Sequence, residues 1–263
     1  MYGAAGKWQD TRMNLPEGVS AQDAAWLLRD KYEGVESEVY EQDLQRLAAG
    51  EPLPYVIGWV PFLGLAISLA SHPLIPRAET EWWVERLIEE LRARYGDKPF
   101  TFLDLCAGSG AIGCAILAAL PNARVSFGEL DPAHAPTIRA NVGRATSHIK
   151  RADIRIGDLF EPFAGERFDC IAANPPYIPE ARMLPREVAA YEPREALYAG
   201  ADGLAVMRRI AEGLPSHLAR AGCAWIEVDA IHASAAQELF ARAGFAADIR
   251  TDQYGRPRLI VAN

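Results

Sequence analysis

The sequence has 263 residues, 50% hydrophobic and 24% charged, a balance that lets a globular chain bury a core without disulfides or a structural metal. Its formal charge of −8 argues against a long polyphosphate partner, because nucleic-acid affinity rests on neutralising phosphates. Cys106, Cys114, Cys170 and Cys223 form no CxxC pair and sit in apolar runs. Neither a basic-apolar leader nor an apolar stretch of ~18–20 residues is seen, which predicts a cytoplasmic protein off the membrane.

Residues 1–18 show no period and read as a loose lead-in. Ser20 is placed to cap a helix that carries Ala24, Ala25, Leu27 and Leu28 inward, and a second helix runs from about 37 to 49, ending at Gly50. Residues 1–50 are therefore predicted to be a short helical appendage. Two β-prone runs, 55–62 and 65–69, flank Leu63-Gly64 and predict a hairpin within a linker, 51–76. A long amphipathic helix follows over 79–95, with Trp83, Leu87 and Leu91 spaced by four along one face.

The remaining domain, 77–263, alternates strand and helix. Strands are predicted at 101–105, 124–129, 154–156, 168–173, 224–228, 246–251 and 258–261. Helices are predicted at 111–120, 132–145, 203–220 and 232–243. Such alternation implies an open, mostly parallel α/β sheet of seven strands with helices on both faces. Gly255-Arg-Pro257 is too short for a crossover helix, so the last strand is expected to run antiparallel to its neighbour.

Leu103-Asp104-Leu105-Cys106-Ala107-Gly108-Ser109-Gly110 closes one of these strands and opens a helix. Glycines there let backbone approach a ligand, and the helix N-terminus offers unpaired N–H groups. Glu129 ends the next strand, where a carboxylate can take both ribose hydroxyls of a nucleoside. Gly108, Gly110 and Gly113 spell GxGxxG, which by itself suits a dinucleotide as well as S-adenosylmethionine. Asp104 is placed to pair with the ammonium of the latter, a role that a dinucleotide does not require.

Asn174-Pro175-Pro176-Tyr177 separates the two. Paired prolines fix φ and remove two N–H donors, giving a rigid extended turn at the C-terminal end of a strand, where open α/β sheets bind ligands. The Asn174 oxygen and the Pro175 carbonyl can accept the two N–H bonds of a planar NH2 group, with Tyr177 against its π-face. Two such acceptors raise electron density on an otherwise delocalised amide nitrogen and aim it at an electrophile.

The loop 104–110 plus Asn174–Tyr177 resembles the amino-methylating class I methyltransferases. Three further stretches, 50–58, 74–81 and 191–204, resemble the N5-glutamine methyltransferases that act on peptide chain release factors (the HemK/PrmC family), over roughly residues 50–262. That resemblance implies a Rossmann-like seven-stranded class I methyltransferase sheet with an antiparallel last strand, plus a small N-terminal helical domain that contacts the release factor. S-adenosylmethionine would be held by Asp104, Cys106, Ala107, Gly108, Gly110, Glu129 and Asn174, with Asp158 and Leu159 beside the adenine. Arg77 and Glu192 would lie at the substrate mouth, no metal would be needed, and the acceptor would be the glutamine of a Gly-Gly-Gln loop. The chain departs from the family pattern at Ala78, where proline is common, and at 228–232, where glycine then glutamine is usual. Amino-methylation of adenine or guanine in nucleic acid, or of a ribosomal protein's glutamine, is the alternative reading; the scattered Lys and Arg disfavour nucleic acid.

Overall fold

A computed structural model of the protein describes residues 15–263. The chain divides into two compact units at Ile57/Gly58; most of the lead-in expected over 1–18 lies outside the described residues.

The first unit holds three helices, α1 (Ala21–Tyr32), α2 (Glu38–Ala48) and α3 (Leu53–Ile57). Ser20 and Ser37 cap the first two by accepting from Asp23 N and Tyr40 N. Ala24, Leu27, Tyr40, Leu44 and Val56 form its core. Ala25 and Leu28 remain partly exposed. Buried Asp43 is satisfied by Lys31, Tyr32 and Arg46. The structure corrects one expectation here: residues 55–57 are helical, not extended. Pro52 and Pro54 suit a helix start, where a missing N–H costs nothing, and the Pro52 carbonyl accepts from Tyr55 N and Val56 N.

The second unit opens with the hairpin β1 (Trp59–Phe62) and β2 (Leu65–Ser68). Leu63 and Gly64 both have positive φ, 46° and 79°, the geometry of a tight two-residue hairpin turn. Asn141 fixes the hairpin by accepting from Ser68 N at 2.8 Å and donating to its carbonyl at 3.1 Å. Helix α4 (Ala78–Tyr95) buries Thr80, Trp83, Leu87 and Leu91.

Seven strands follow: β3 (Phe100–Leu105), β4 (Ala123–Glu129), β5 (Ala152–Ile156), β6 (Phe168–Ala173), β7 (Leu218–Glu227), β8 (Ala247–Thr251) and β9 (Pro257–Ala262). They form one sheet in the order β5-β4-β3-β6-β7-β9-β8. All pairings are parallel except those of β9, which lies antiparallel to both β7 and β8. The connecting helices are α5 (Ala111–Ala119), α6 (Ala135–Ala145), α7 (Arg186–Tyr191), α8 (Ala205–His217) and α9 (Ala233–Arg242).

Both faces of the sheet are covered, so its central strands are largely apolar and their residues alternate between two cores, whereas the edge strands β5 and β8 stay partly exposed. Phe102, Val125, Phe127, Cys170, Ala172, Trp225 and Val261 pack with α4, α5 and α6. Leu103, Leu105, Ile171, Ala173, Ala224, Ile226 and Ile260 pack with α8 and α9. The sequence predicts helix through residue 220, but β7 already begins at Leu218; between its pairings Phe168↔Leu218 and Cys170↔Cys223 the strand register shifts. Helix α7 is short and carries no buried residue, so no apolar period announces it.

Candidate active site

Strand β3 is the switch point of the sheet, with β4 on one side and β6 on the other. In open α/β sheets the crevice at the carboxyl ends of such strands is where ligands bind. A cavity of about 480 Å³ lies there, within the usual size range of small-molecule sites. Its wall takes Cys106 and Gly108 from the glycine loop, Gly128 and Glu129 from the end of β4, Asp158 and Leu159, and Asn174. It also takes Leu74, Leu130, Asp131, His134, Pro176, Pro193, Glu195, Val206 and Arg209.

The glycine loop leaves β3 through Cys106, whose φ of 60° is unusual for a residue with a side chain, then Gly108 at 55° and Gly110 at 77°. Ala107 N donates to the Gly128 carbonyl and Gly110 N to that of Ala107, holding the turn against β4. Ala107 is nearly buried, and neither it nor Gly110 borders the cavity. The third glycine of GxGxxG answers to packing: a Cβ on Gly113 would stand 2.3 Å from Phe127 Cε1.

Asp104 is fully buried beneath this loop and is absent from the cavity wall. Its Oδ2 accepts from Gly113 N at 2.8 Å, and its Oδ1 has no hydrogen-bond partner. In this geometry the Asp104 side chain ties β3 to the first turn of α5. Burial pushes its pKa well above the ordinary range, with the Gly113 N–H pulling the other way.

Glu129 faces the cavity while only 7% exposed. Its Oε2 accepts from Gly108 N at 2.7 Å and its Oε1 from Asp131 N at 2.9 Å. Each oxygen keeps a further lone pair, so the pair of oxygens is held rigidly and can still accept from a vicinal diol. Gly157 N donates to the Glu129 carbonyl, placing Asp158 and Leu159 on the neighbouring wall. Asp158 forms an ion pair with Arg209 of α8 at 2.8 Å.

Asn174 leaves β6 at the opposite wall, and Pro176 lines the cavity beside it. Pro175 is buried and Tyr177 half-buried behind the cavity. Asn174 Nδ2 donates to Thr80 Oγ1 at 3.2 Å, and Tyr177 OH donates to Glu227 Oε1 at 3.2 Å. The segment after the tetrapeptide is pinned by Ile178 N to the Leu197 carbonyl and Ala199 N to that of Ile178.

Arg77 and Glu192 do not reach the cavity. They pair with each other at 2.5 Å, and Glu192 also accepts from Ile75 N at 3.1 Å. The pair staples the segments carrying Leu74 and Pro193, both of which line the cavity. Sequence reasoning missed Thr80, Glu227 and Arg209. A signal existed for Glu227, an acid closing the otherwise apolar run Ala224-Trp-Ile. Arg209 sits on an unremarkable helical stretch and gave none.

Strand order, reversed last strand and a cavity flanked by Glu129 and Asn174 define a Rossmann-like methyltransferase domain, and the family model "Methyltransferase small domain" matches residues 84–189. The solved hMettl16 catalytic domain, in complex with an RNA hairpin of the MAT2A 3′UTR, shares the fold at 14% identity with a TM-score of 0.56, covering 94% of this chain and 92% of that one. Relatives named release factor glutamine methyltransferase are much more similar in sequence. That of Thermodesulfovibrio yellowstonii is 37% identical over 77% of this chain and 72% of its own length. That of Bordetella pertussis is 35% identical over 88% and 85%, and that of Deinococcus radiodurans 33% over 96% and 90%. The chain belongs to the release factor glutamine methyltransferase family.

Proposed function

We propose that this protein transfers a methyl group from S-adenosylmethionine to the N5 nitrogen of a protein glutamine, the one in the Gly-Gly-Gln loop of peptide chain release factors, in the cytoplasm. The carrying observation is that Glu129, a rigid carboxylate with spare lone pairs, and Asn174, a planar amide after β6, border the same cavity.

The residues present fit the cofactor. Glu129 would hold the ribose diol; Leu130, Leu159 and Val206 would offer apolar faces to a flat base, and Asp158 an acceptor to its amino group. Bound S-adenosylmethionine supplies a methyl carbon activated by a positively charged sulfur. This chain's residues do the aligning. Asn174 Oδ1 and the Pro175 carbonyl accept the two amide hydrogens of the incoming glutamine, turning its lone pair toward that carbon. Held in line by these two acceptors, the glutamine nitrogen would take the methyl group that the cofactor supplies and release one proton to water. The side-chain amide becomes acidic only as it is alkylated, so no strong base is required before attack.

The deciding experiment is transfer of labelled methyl to a release factor carrying Gly-Gly-Gln, beside the same factor with that glutamine replaced. Label that depends on the glutamine supports cofactor, reaction and acceptor together. Label on neither, with the cofactor still bound, discards the acceptor and directs the assay to ribosomal proteins and nucleic acids. Asn174→Ala is expected to cut turnover by roughly 100-fold or more, the loss that follows from misalignment. Cofactor affinity should stay within about three-fold, since the interaction removed belongs to the transition state.

A further inference from the structure

Behind Asn174 stands a chain of hydrogen bonds that ends on a buried acid. Glu227, the last residue of β7, is 1% exposed. Its Oε2 accepts from Thr80 Oγ1 at 2.6 Å and from Trp83 Nε1 at 2.8 Å, and its Oε1 accepts from Tyr177 OH at 3.2 Å. Thr80, itself buried, in turn accepts from Asn174 Nδ2 at 3.2 Å. One carboxylate therefore holds Tyr177 directly and Asn174 through a single hydroxyl.

The direction of each bond follows from what each group can donate. An ionised carboxylate only accepts, and an indole N–H only donates. The single Thr80 proton goes to Glu227 Oε2, at 2.6 Å the shorter of the two Thr80 contacts and an oxygen that also receives the Trp83 indole N–H. That leaves the Thr80 oxygen as an acceptor toward Asn174, so Asn174 must present its NH2 there. The amide is planar, and its oxygen then points to the opposite side, toward the cavity that Asn174 lines. Were the Thr80 proton directed at Asn174 instead, the amide would be turned over and would offer hydrogens to an acceptor that also has only hydrogens to give.

We propose that Glu227 is a positioning residue that acts through Thr80 to orient the Asn174 amide, so that the site presents an oxygen and not an NH2 to the substrate nitrogen. This rests on the reading of Asn174 given above. It also explains the placement of a polar chain in an apolar layer: Thr80 and Trp83 come from α4, Glu227 from β7 and Asn174 from the end of β6, elements distant in sequence that meet only in the fold. Removing the Thr80 hydroxyl breaks the relay without disturbing Glu227's other two donors.

The test compares Thr80→Val, Thr80→Ser and Asn174→Ala in the full chain, using the labelled-methyl assay with the release factor and calorimetric titration of S-adenosylmethionine. Valine keeps the branched shape but not the hydroxyl; serine keeps the hydroxyl. Thr80→Val is expected to lower kcat roughly 10- to 100-fold, the scale of a small misalignment of the reacting groups. Its cofactor Kd should remain within about three-fold and Thr80→Ser should recover most of the lost kcat, since only the transition-state arrangement depends on the hydroxyl. A purely structural role would instead track the unfolding midpoint and would not split valine from serine. Thr80→Val with wild-type kcat, while Asn174→Ala is inactive, would overturn the relay and leave the role of Asn174 standing. Full activity of Asn174→Ala would overturn both. Glu227→Gln supplies a second readout. It retains an oxygen for Thr80 and Trp83 while turning NH2 toward Tyr177, so it should keep more activity than Thr80→Val; less activity would count against the relay.

Discussion

Glu129→Gln tests the nucleoside site most sharply, because the change is nearly isosteric and the consequences can be counted. The carboxylate spends one lone pair per oxygen on protein, on Gly108 N and Asp131 N, and keeps one per oxygen for a ribose hydroxyl. A glutamine amide has acceptor sites on one atom only. Whichever way it turns, its NH2 confronts one of the two backbone N–H groups, leaving that donor unpaired and costing about 1–3 kcal/mol of folding stability. The same NH2 cannot accept from the ribose, so one charge-assisted bond worth about 1.5–3 kcal/mol is lost on binding. That amounts to a Kd for S-adenosylmethionine weakened roughly 10- to 150-fold. Titration calorimetry measures the affinity and urea unfolding the stability. At saturating cofactor kcat should recover, because the role proposed for the residue is toward the nucleoside and not the acceptor nitrogen. A Kd within about two-fold of the wild type would refute the assignment, since no rearrangement of a glutamine amide restores the missing acceptor.

Two further expectations concern the loop itself. Gly113→Ala places a methyl 2.3 Å from Cε1 of Phe127, against the edge of a fully buried ring, and should cost about 1–3 kcal/mol of stability. Phe127→Leu should recover part of that loss in the double variant, and additive losses by urea unfolding would speak against the packing explanation. Asp104 has a folded-state pKa raised by burial, so its favourable contribution is complete below the unfolded value near 3.8 and is lost as pH rises through the folded pKa. Urea unfolding across pH should therefore show the wild type losing stability relative to Asp104→Asn as pH climbs from about 4, and parallel curves would contradict the buried, partnerless oxygen.

The middle of the sheet was legible because its strands are buried on both faces, which demands mostly apolar runs such as Cys170-Ile-Ala-Ala173. The glycine loop, Glu129 and the Asn174–Tyr177 turn were legible for a related reason: each puts a residue type with one special capability at a strand end. What the sequence hid is long-range. The period of Trp83, Leu87 and Leu91 puts Thr80 on the buried face of its helix, but nothing local supplies its polar partner, which is Glu227, far along the chain. Asp104 looked like a ligand-facing acid because the strand's end is near the cavity, but alternation turns its side chain into the layer shared with Phe102 and α5. Arg77 and Glu192 were read as facing substrate, and their opposite charges satisfy one another. The helix over 53–57 was obscured by Tyr55-Val-Ile57, β-prone residues whose preference two prolines override. The same competition misplaced the start of β7, where Leu218-Ala-Arg-Ala continues a helical pattern that the parallel pairing with β6 interrupts.

The position of β9 has a consequence for how the protein is made. It follows β8 in the chain but lies between β7 and β8 in the sheet. During synthesis β7 therefore waits with one edge unpaired until residues 257–262 insert, although β3, β4, β5 and β6 have long since been available to pair. Glu227 is registered against Leu259, and Val228 N donates to the Arg258 carbonyl. The strand that carries Glu227, and through it holds Tyr177 and Thr80, is thus the one whose second edge is closed by the last residues of the chain.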